Sequence, residues 1–214
     1  MTSRHSLILA GLLAMTKLAW ASTPEEIVTP IQEHWAEIKY KQPEKQQANS
    51  YAKLAEQARR LAESNPGSAE PLIWEGIVLS SQAGAKGGLG ALGIAKKAKQ
   101  RLEEALKLND KALNGSAYTS LATLYAKVPG WPIGFGNKER AEDYFKKSLA
   151  INPNGIDPNF FYGEYLLDAK HYAEARVHLD KALKAPPRPG RELADNGRRQ
   201  EVQALIVQLN KESR

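Results

Sequence analysis

A glycine-rich segment near the middle of the chain has the spacing of a dinucleotide-binding loop. Residues 88–93 match the pattern G-x-G-x-x-G, and Lys96 and Lys97 follow near the start of a predicted helix. In a dinucleotide site this pattern must follow a β-strand, because the glycines close a turn that brings backbone N–H groups onto a pyrophosphate. The repeat described below makes the preceding residues 72–79 a helix. We therefore expect no nucleotide site, and a simple anion site at the helix N-terminus is the alternative.

The histidines do not form a recognisable catalytic or metal-binding group. Beyond the first 21 residues they are His34, His171 and His178. The last two are seven residues apart on one predicted helix, without an acidic pair at metal-ligand spacing. The hydrolase motif G-x-S-x-G and the metallopeptidase motif H-E-x-x-H do not occur. We therefore expect a protein that is not an enzyme and carries no metal or other cofactor.

The segment of residues 129–137 is the most distinctive in the chain. It reads Pro-Gly-Trp-Pro-Ile-Gly-Phe-Gly-Asn and presents Trp131 and Phe135 on a loop stiffened by proline and bent by glycine. Such a loop can present apolar side chains to a ligand or partner, or line a pore, at little entropic cost. Alternatively, both aromatic rings fold back onto the adjacent helix pair. Both interpretations are open from the sequence.

The composition excludes several classes of protein. The 214 residues include no cysteine, which excludes disulfides, cysteine-based zinc sites, thiol catalysis and lipid-modified cysteines. There are 30 Lys and Arg residues against 24 Asp and Glu residues, a formal net charge of +6. The basic residues lie beside acidic ones along most predicted helices, so we expect no nucleic-acid partner.

The first residues resemble an export signal. Arg4 and His5 precede an apolar run over residues 7–15, and residues 19–21 form the small-x-small pattern that a signal peptidase reads. The run is well short of the ~20 apolar residues that a membrane-spanning helix needs. We expect cleavage near Ala21 and a periplasmic or secreted protein.

Three amphipathic stretches end alike at turn residues. They cover residues 102–109, 145–153 and 179–187, and the step from Pro153 to Pro187 is 34 residues. This is the period of the tetratricopeptide (TPR) repeat, a helix-turn-helix unit. In the last unit Gly163, Ala175 and Ala182 occupy the positions where two helix backbones must approach closely.

The two preceding units have the same pattern with insertions. Gly76 and Ala98 mark one unit and Ala122 and Ala141 the other, at longer intervals than in the last unit. Both insertions are predicted at the turn between the two helices of a unit. The predicted fold is an all-α, TPR-like α-α solenoid of about nine helices with a C-terminal capping helix. The predicted divisions are a cleaved signal at 1–21, an N-terminal helix at 22–43, repeats over 44–187 (units of about 44–66, 68–110, 115–153 and 157–187), and the capping helix at 188–214.

A TPR groove is lined by first-helix positions that lie off the packing face. With the two loop aromatics, the candidate binding residues are Ile73, Ile77, Ser80, Thr119, Thr123, Trp131, Phe135, Phe160, Glu164 and Leu167. The groove positions are apolar or hydroxylic with one acid, and they lack the Lys and Arg clamp for a peptide carboxylate. The groove therefore suits an apolar or mixed ligand or a partner helix, unless the C-terminal helix fills it.

Several of these features together resemble the T-component (TatT-like) proteins of TRAP transporters. They are the export signal, the helix pairs with glycine-rich insertions, the segment 118–136 with its aromatic glycine loop, the helix 141–153, and the segment 157–163. The resemblance implies a periplasmic TPR protein that pairs with a periplasmic solute-binding protein and carries a small hydrophobic solute, often as a homo-oligomer. Members of that family are often lipoproteins, but without a cysteine this chain is not expected to be one.

Two functions follow as hypotheses. The first is a non-enzymatic periplasmic TPR module that binds a protein partner, such as a solute-binding protein, together with a small apolar ligand. The alternative is a general scaffold for assembly of cell-envelope machinery, without any small ligand.

Overall fold

The computed structural model describes residues 23–213 and shows an all-α fold, with no β-strand within that range. The export signal expected over residues 1–21 lies outside the described residues. Ten helices follow one another along the described chain: α1 (Pro24–Ile27), α2 (Thr29–Lys41), α3 (Glu44–Ser64), α4 (Ala69–Lys86), α5 (Gly88–Leu108), α6 (Ala112–Lys127), α7 (Lys138–Ile151), α8 (Ile156–Asp168), α9 (Tyr172–Lys184) and α10 (Glu192–Glu212).

The first predicted helix is divided in two, which accounts for ten helices instead of about nine. α1 ends at Ile27, Val28 caps it, and α2 begins at Thr29 with Pro30 in its first turn. A proline has no backbone N–H, so the carbonyl four residues earlier loses its helical donor at this point. Val28 is itself fully buried.

Consecutive helices pack as pairs whose crossings depend on small residues. α4 packs on α5, α6 on α7 and α8 on α9. A Cβ added at Gly163 would come within 2.9 Å of the Leu179 side chain, and one at Gly76 would come within 2.5 Å of Leu102. Only glycine permits so close an approach. Both crossings thus place a glycine against a leucine of the following helix.

The two insertions take different forms. The first extends both helices of its pair, so that α4 and α5 have 18 and 21 residues and are joined by Gly87 alone, whose φ is +62°. This segment contains five glycines, which lower helix propensity, but it contains no proline to oppose helix continuation. The second insertion forms a loop over residues 128–137, where Pro129 and Pro132 oppose helix continuation.

The helix pairs stand side by side, and the last helix returns across them. α4 contacts α6, and α6 contacts α8, so these three helices form one row. α10 packs on its neighbour α9, as a cap would, and it also contacts α8 and α2. At the contact with α2, a Cβ on Gly197 would overlap the Tyr40 ring. α10 thereby connects the two ends of the described chain.

None of the helices within residues 23–213 is both long and apolar enough to cross a membrane.

Candidate functional site

The return of α10 leaves a cavity of about 520 Å³ between it and the row of helices. Ligand pockets of proteins commonly have volumes of this order. Residues from six helices and the segment before α10 form its wall: Trp35, Lys39, Tyr40, Glu44, Gln47, Tyr51, Ile77, Ser80, Ser81, Gly84, Ala85, Ser116, Thr119, Ser120, Thr123, Asp157, Phe161, Arg188, Arg191, Ala194 and Arg198.

The wall formed by α4 and α6 carries six hydroxyl side chains. Three of them donate their proton to a backbone carbonyl of their own helix: Ser80 to Gly76 at 2.7 Å, Ser81 to Ile77 at 3.0 Å and Thr123 to Thr119 at 2.9 Å. Ser116 donates to the carbonyl of Leu113 at 2.6 Å, in the left-handed kink near the start of α6. A hydroxyl that donates in this way keeps its oxygen lone pairs as acceptors. This wall therefore offers acceptors to a ligand that carries donors.

Aromatic side chains from α2 and α3 form a second part of the wall, which adjoins α4. The Trp35 indole N–H donates to the Ser81 hydroxyl at 2.8 Å, which fixes the position of the ring. Tyr51 is 1% exposed, and its hydroxyl has no hydrogen-bond partner among the described residues. Burial raises the pKa of Tyr51, so the hydroxyl keeps its proton. The hydroxyl oxygen is enclosed by protein atoms and lies near Ser81, so it does not open onto the cavity.

A network of ion pairs forms the third side of the cavity. Asp157, at the start of α8, accepts from Arg188 at 2.7 Å and from Arg198 at 2.9 Å. Arg188 also pairs with the buried Asp195. Arg198, only 6% exposed, reaches Glu201 at 2.6 Å, and Glu201 in turn accepts from Lys39 at 3.1 Å. The network therefore attaches α10 to α8 and α2 by charge as well as by packing.

The two arginines control the ionisation of Asp157. Burial alone would raise the pKa of this carboxyl group, but Arg188 and Arg198 outweigh burial and hold its pKa well below the usual range. The carboxylate is consequently ionised at neutral pH. The planar guanidinium of Arg198 also lies 4.3 Å from the ring centroid of Phe160 and 4.6 Å from that of Phe161.

Arg191 differs from the other cations of the wall. Its side chain makes no ion pair or hydrogen bond with any residue of the described range, and its guanidinium lies 5.2 Å from the ring centroid of Trp74. Burial and the neighbouring Arg188 lower the pKa of Arg191, which means that both disfavour its charged form. An anion in the cavity would stabilise the charged form.

Half of the groove residues predicted from the sequence lie in the cavity wall. These are Ile77, Ser80, Thr119 and Thr123. Ile73, Phe160 and Leu167 are instead in the hydrophobic core, at 0%, 5% and 2% exposure. Glu164 lies away from the cavity and pairs with Lys127 at 3.2 Å.

The two aromatic residues of the loop have different environments. Phe135 folds back, with its ring centroid 5.5 Å from that of Tyr125 in an edge-on contact. Trp131 is 90% exposed, and Ile133 in the same loop is 60% exposed. Leu89, at the start of α5, is 86% exposed. The loop thus combines one ring that packs with one that faces solvent.

The glycines of residues 88–93 do not follow a strand. They form the first turns of α5 and come after α4 and Gly87. This arrangement lacks the strand that a dinucleotide loop requires.

Sequence reasoning missed the arginines that complete the cavity. Val202, Leu205 and Leu209 lie at alternating spacings of three and four residues on α10. Arg191, Asp195 and Arg198 continue the same alternating spacing of four and three residues toward the N-terminus. Residues at this spacing share one helix face. The α10 face that carries apolar residues toward its C-terminus therefore carries charged residues toward its N-terminus. This spacing is the sequence signal that indicates the charged groups.

Comparison with known proteins does not assign the chain to a family: no family model matches it, and no curated protein is similar to it. Within residues 23–213 no group of three or more His, Cys, Asp or Glu side chains is placed to hold a metal ion.

Proposed function

We propose that this protein is a non-enzymatic, TPR-like binding protein of the cell envelope that holds a small solute in the cavity beneath α10. The observation that carries the proposal is the cavity itself, which has the volume of a ligand pocket and a wall that combines aromatic, hydroxyl and cationic groups. The glycine–leucine crossings at Gly76 and Gly163 support the TPR-like repeat.

The protein is also proposed to act with a protein partner, such as a periplasmic solute-binding protein. Support comes from the exposed apolar side chains Leu89, Trp131 and Ile133, which lie outside the cavity. Gly134 of the loop lies close to the side chain of Leu92 on α5, so the loop and the start of α5 adjoin. Large exposed apolar side chains that adjoin are typical of interaction surfaces.

A retained solute tests the cavity directly. The protein is purified under non-denaturing conditions from its native periplasm and its small-molecule content is measured by native mass spectrometry. Ser120 lines the cavity and makes no side-chain hydrogen bond within the described range, so Ser120→Phe fills the cavity without removing such a bond. We expect an adduct of defined mass on the wild type and on the control Ser120→Ala, and its loss from Ser120→Phe. An adduct that survives in folded Ser120→Phe places binding elsewhere and contradicts the proposal.

The second candidate function is a cell-envelope assembly scaffold without a small ligand. The same exposed side chains favour it, since they need no solute in order to bind a partner. Cross-linking this protein to its partners in the native periplasm and identifying the captured proteins distinguishes the two candidate functions. Recovery of a solute-binding protein that depends on Trp131 supports the first function, and recovery of envelope-assembly proteins by a chain that carries no solute supports the second.

A further inference from the structure

We infer that the solute held in this cavity is a small amphipathic organic anion whose negative group binds Arg191. The inference rests on the proposed function and adds the chemical class of the ligand. It follows from the distribution of charge around the cavity wall and from the aromatic side chains that also line the cavity.

Four cations belong to the wall, and three of them are already neutralised by acids. Arg188 and Arg198 share Asp157, and Lys39 pairs with Glu201. Arg191 has no ion-pair partner within the described range, although Asp157 and Asp195 act on it from beyond ion-pair distance. A guanidinium presents several N–H donors in a planar fork that matches a carboxylate or a sulfonate-like group. Arg191 is therefore the cation available to a ligand.

The acids of the wall do not occupy Arg191. Asp157 is committed to two arginines. Glu44 is exposed at the start of α3 and makes no ion pair with a described residue, so water solvates it. The contact of Arg191 with Trp74 covers the ring face and leaves the N–H donors at the guanidinium edge without hydrogen bonds. An anionic group can therefore approach without displacing a carboxylate.

The remaining walls fit the rest of such a molecule. Trp35 and Phe161 line the cavity and offer aromatic surface to the apolar body of the ligand. A wholly apolar ligand would leave the charge of the half-buried Arg191 uncompensated, which is costly.

Two matched fluorescent probes test the charge requirement. 8-Anilinonaphthalene-1-sulfonate is an amphipathic anion, and N-phenyl-1-naphthylamine has the same ring system without the sulfonate. We expect the full-length wild type to bind the anionic probe with one-to-one stoichiometry and more tightly than the neutral probe. Arg191→Gln should weaken the anionic probe about tenfold to a hundredfold and leave the neutral probe within about twofold.

The controls separate charge at the site from charge in general. Arg60 is exposed on α3, so Arg60→Gln removes the same charge far from the wall and should change neither affinity. Arg191→Lys keeps the charge and should retain most of the affinity for the anion, which keeps the test valid if Arg191→Gln unfolds. Circular dichroism and thermal melting establish that each variant is folded.

The outcomes distinguish this inference from the proposed function. If both probes bind equally, or if folded Arg191→Gln keeps the affinity for the anion, the inference is overturned. The proposed function survives that result if Ser120→Phe abolishes binding of both probes. Failure of the wild type to bind the anionic probe also overturns the inference, and binding that persists in folded Ser120→Phe overturns both.

Discussion

At the scale of single residues, Asp157 connects the fold to the site. It is the carboxylate shared by Arg188 and Arg198, and it lies in the cavity wall. We expect Asp157→Asn to lower the free energy of unfolding at pH 7 by roughly 3 kcal/mol, because it leaves two arginines without their common acid. Urea unfolding measures this. Asp143→Asn removes an exposed partner of Lys147 and should cost less than about 1 kcal/mol; equal effects would contradict the role assigned to Asp157.

The lowered pKa of Asp157 also predicts the pH dependence of stability. Its stabilisation is fully present above the pKa of an unfolded aspartate, about 3.9, and is lost as pH falls toward the lower folded pKa. We therefore expect the difference in unfolding free energy between wild type and Asp157→Asn to be constant from pH 7 to pH 5 and to shrink below about pH 4. A difference that shrinks between pH 7 and pH 5 would assign the effect to another group.

The two loop aromatics should respond differently to truncation. Phe135 packs against Tyr125, so Phe135→Ala should lower the free energy of unfolding by roughly 1–2 kcal/mol through lost apolar burial. Trp131 is 90% exposed, and Trp131→Ala should change the free energy of unfolding by less than about 0.5 kcal/mol. Thermal and chemical denaturation give both values. A destabilising Trp131→Ala would show that this ring also packs.

At the scale of helices, the attachment of α10 to α2 is the feature on which the cavity depends. A Cβ at Gly197 would overlap the Tyr40 ring, so Gly197→Ala should push α10 outward and destabilise the protein by about 1–3 kcal/mol. Gly93→Ala is the matched control, because its added Cβ, in the second turn of α5, meets no atom within 4 Å. That control should stabilise the protein by about 0.5–1 kcal/mol through helix propensity.

Hydrogen exchange locates the effect of Gly197→Ala. We expect faster exchange of the amides of α10 and α2 and unchanged exchange in α6 and α7, which do not contact α10 through this glycine. Uniform acceleration over all helices would mean that Gly197 affects global stability without a specific role at the α10 contact.

The helices and their crossings could be predicted from the sequence because both depend on local patterns. Apolar spacing and small residues such as Gly76 and Gly163 indicate which helix faces meet, and the structure has the corresponding close contacts. The forms of the two insertions were less predictable, because one became longer helices and the other a loop. That difference follows from proline content, which the interval between repeats does not reveal.

At the scale of the whole molecule, the cavity could be predicted only in part. The hydroxyl wall follows from the repeat register, and Ser80, Thr119 and Thr123 lie there. The basic wall depends on α10 returning to α2, a contact between residues about 160 positions apart, as in the Tyr40–Glu201 hydrogen bond. The path of a helical repeat is set by the sum of small rotations between its units, so one sequence pattern does not show where its ends meet.

The most direct test of the central claim is a crystal structure of the full-length protein with bound 8-anilinonaphthalene-1-sulfonate. Ligand binding within the cavity is predicted to place the probe between α10 and the hydroxyl wall, with its sulfonate at hydrogen-bond distance from the Arg191 guanidinium. Density for the probe against Leu89 and Trp131, with none beneath α10, would contradict the account and make the exposed loop the binding site.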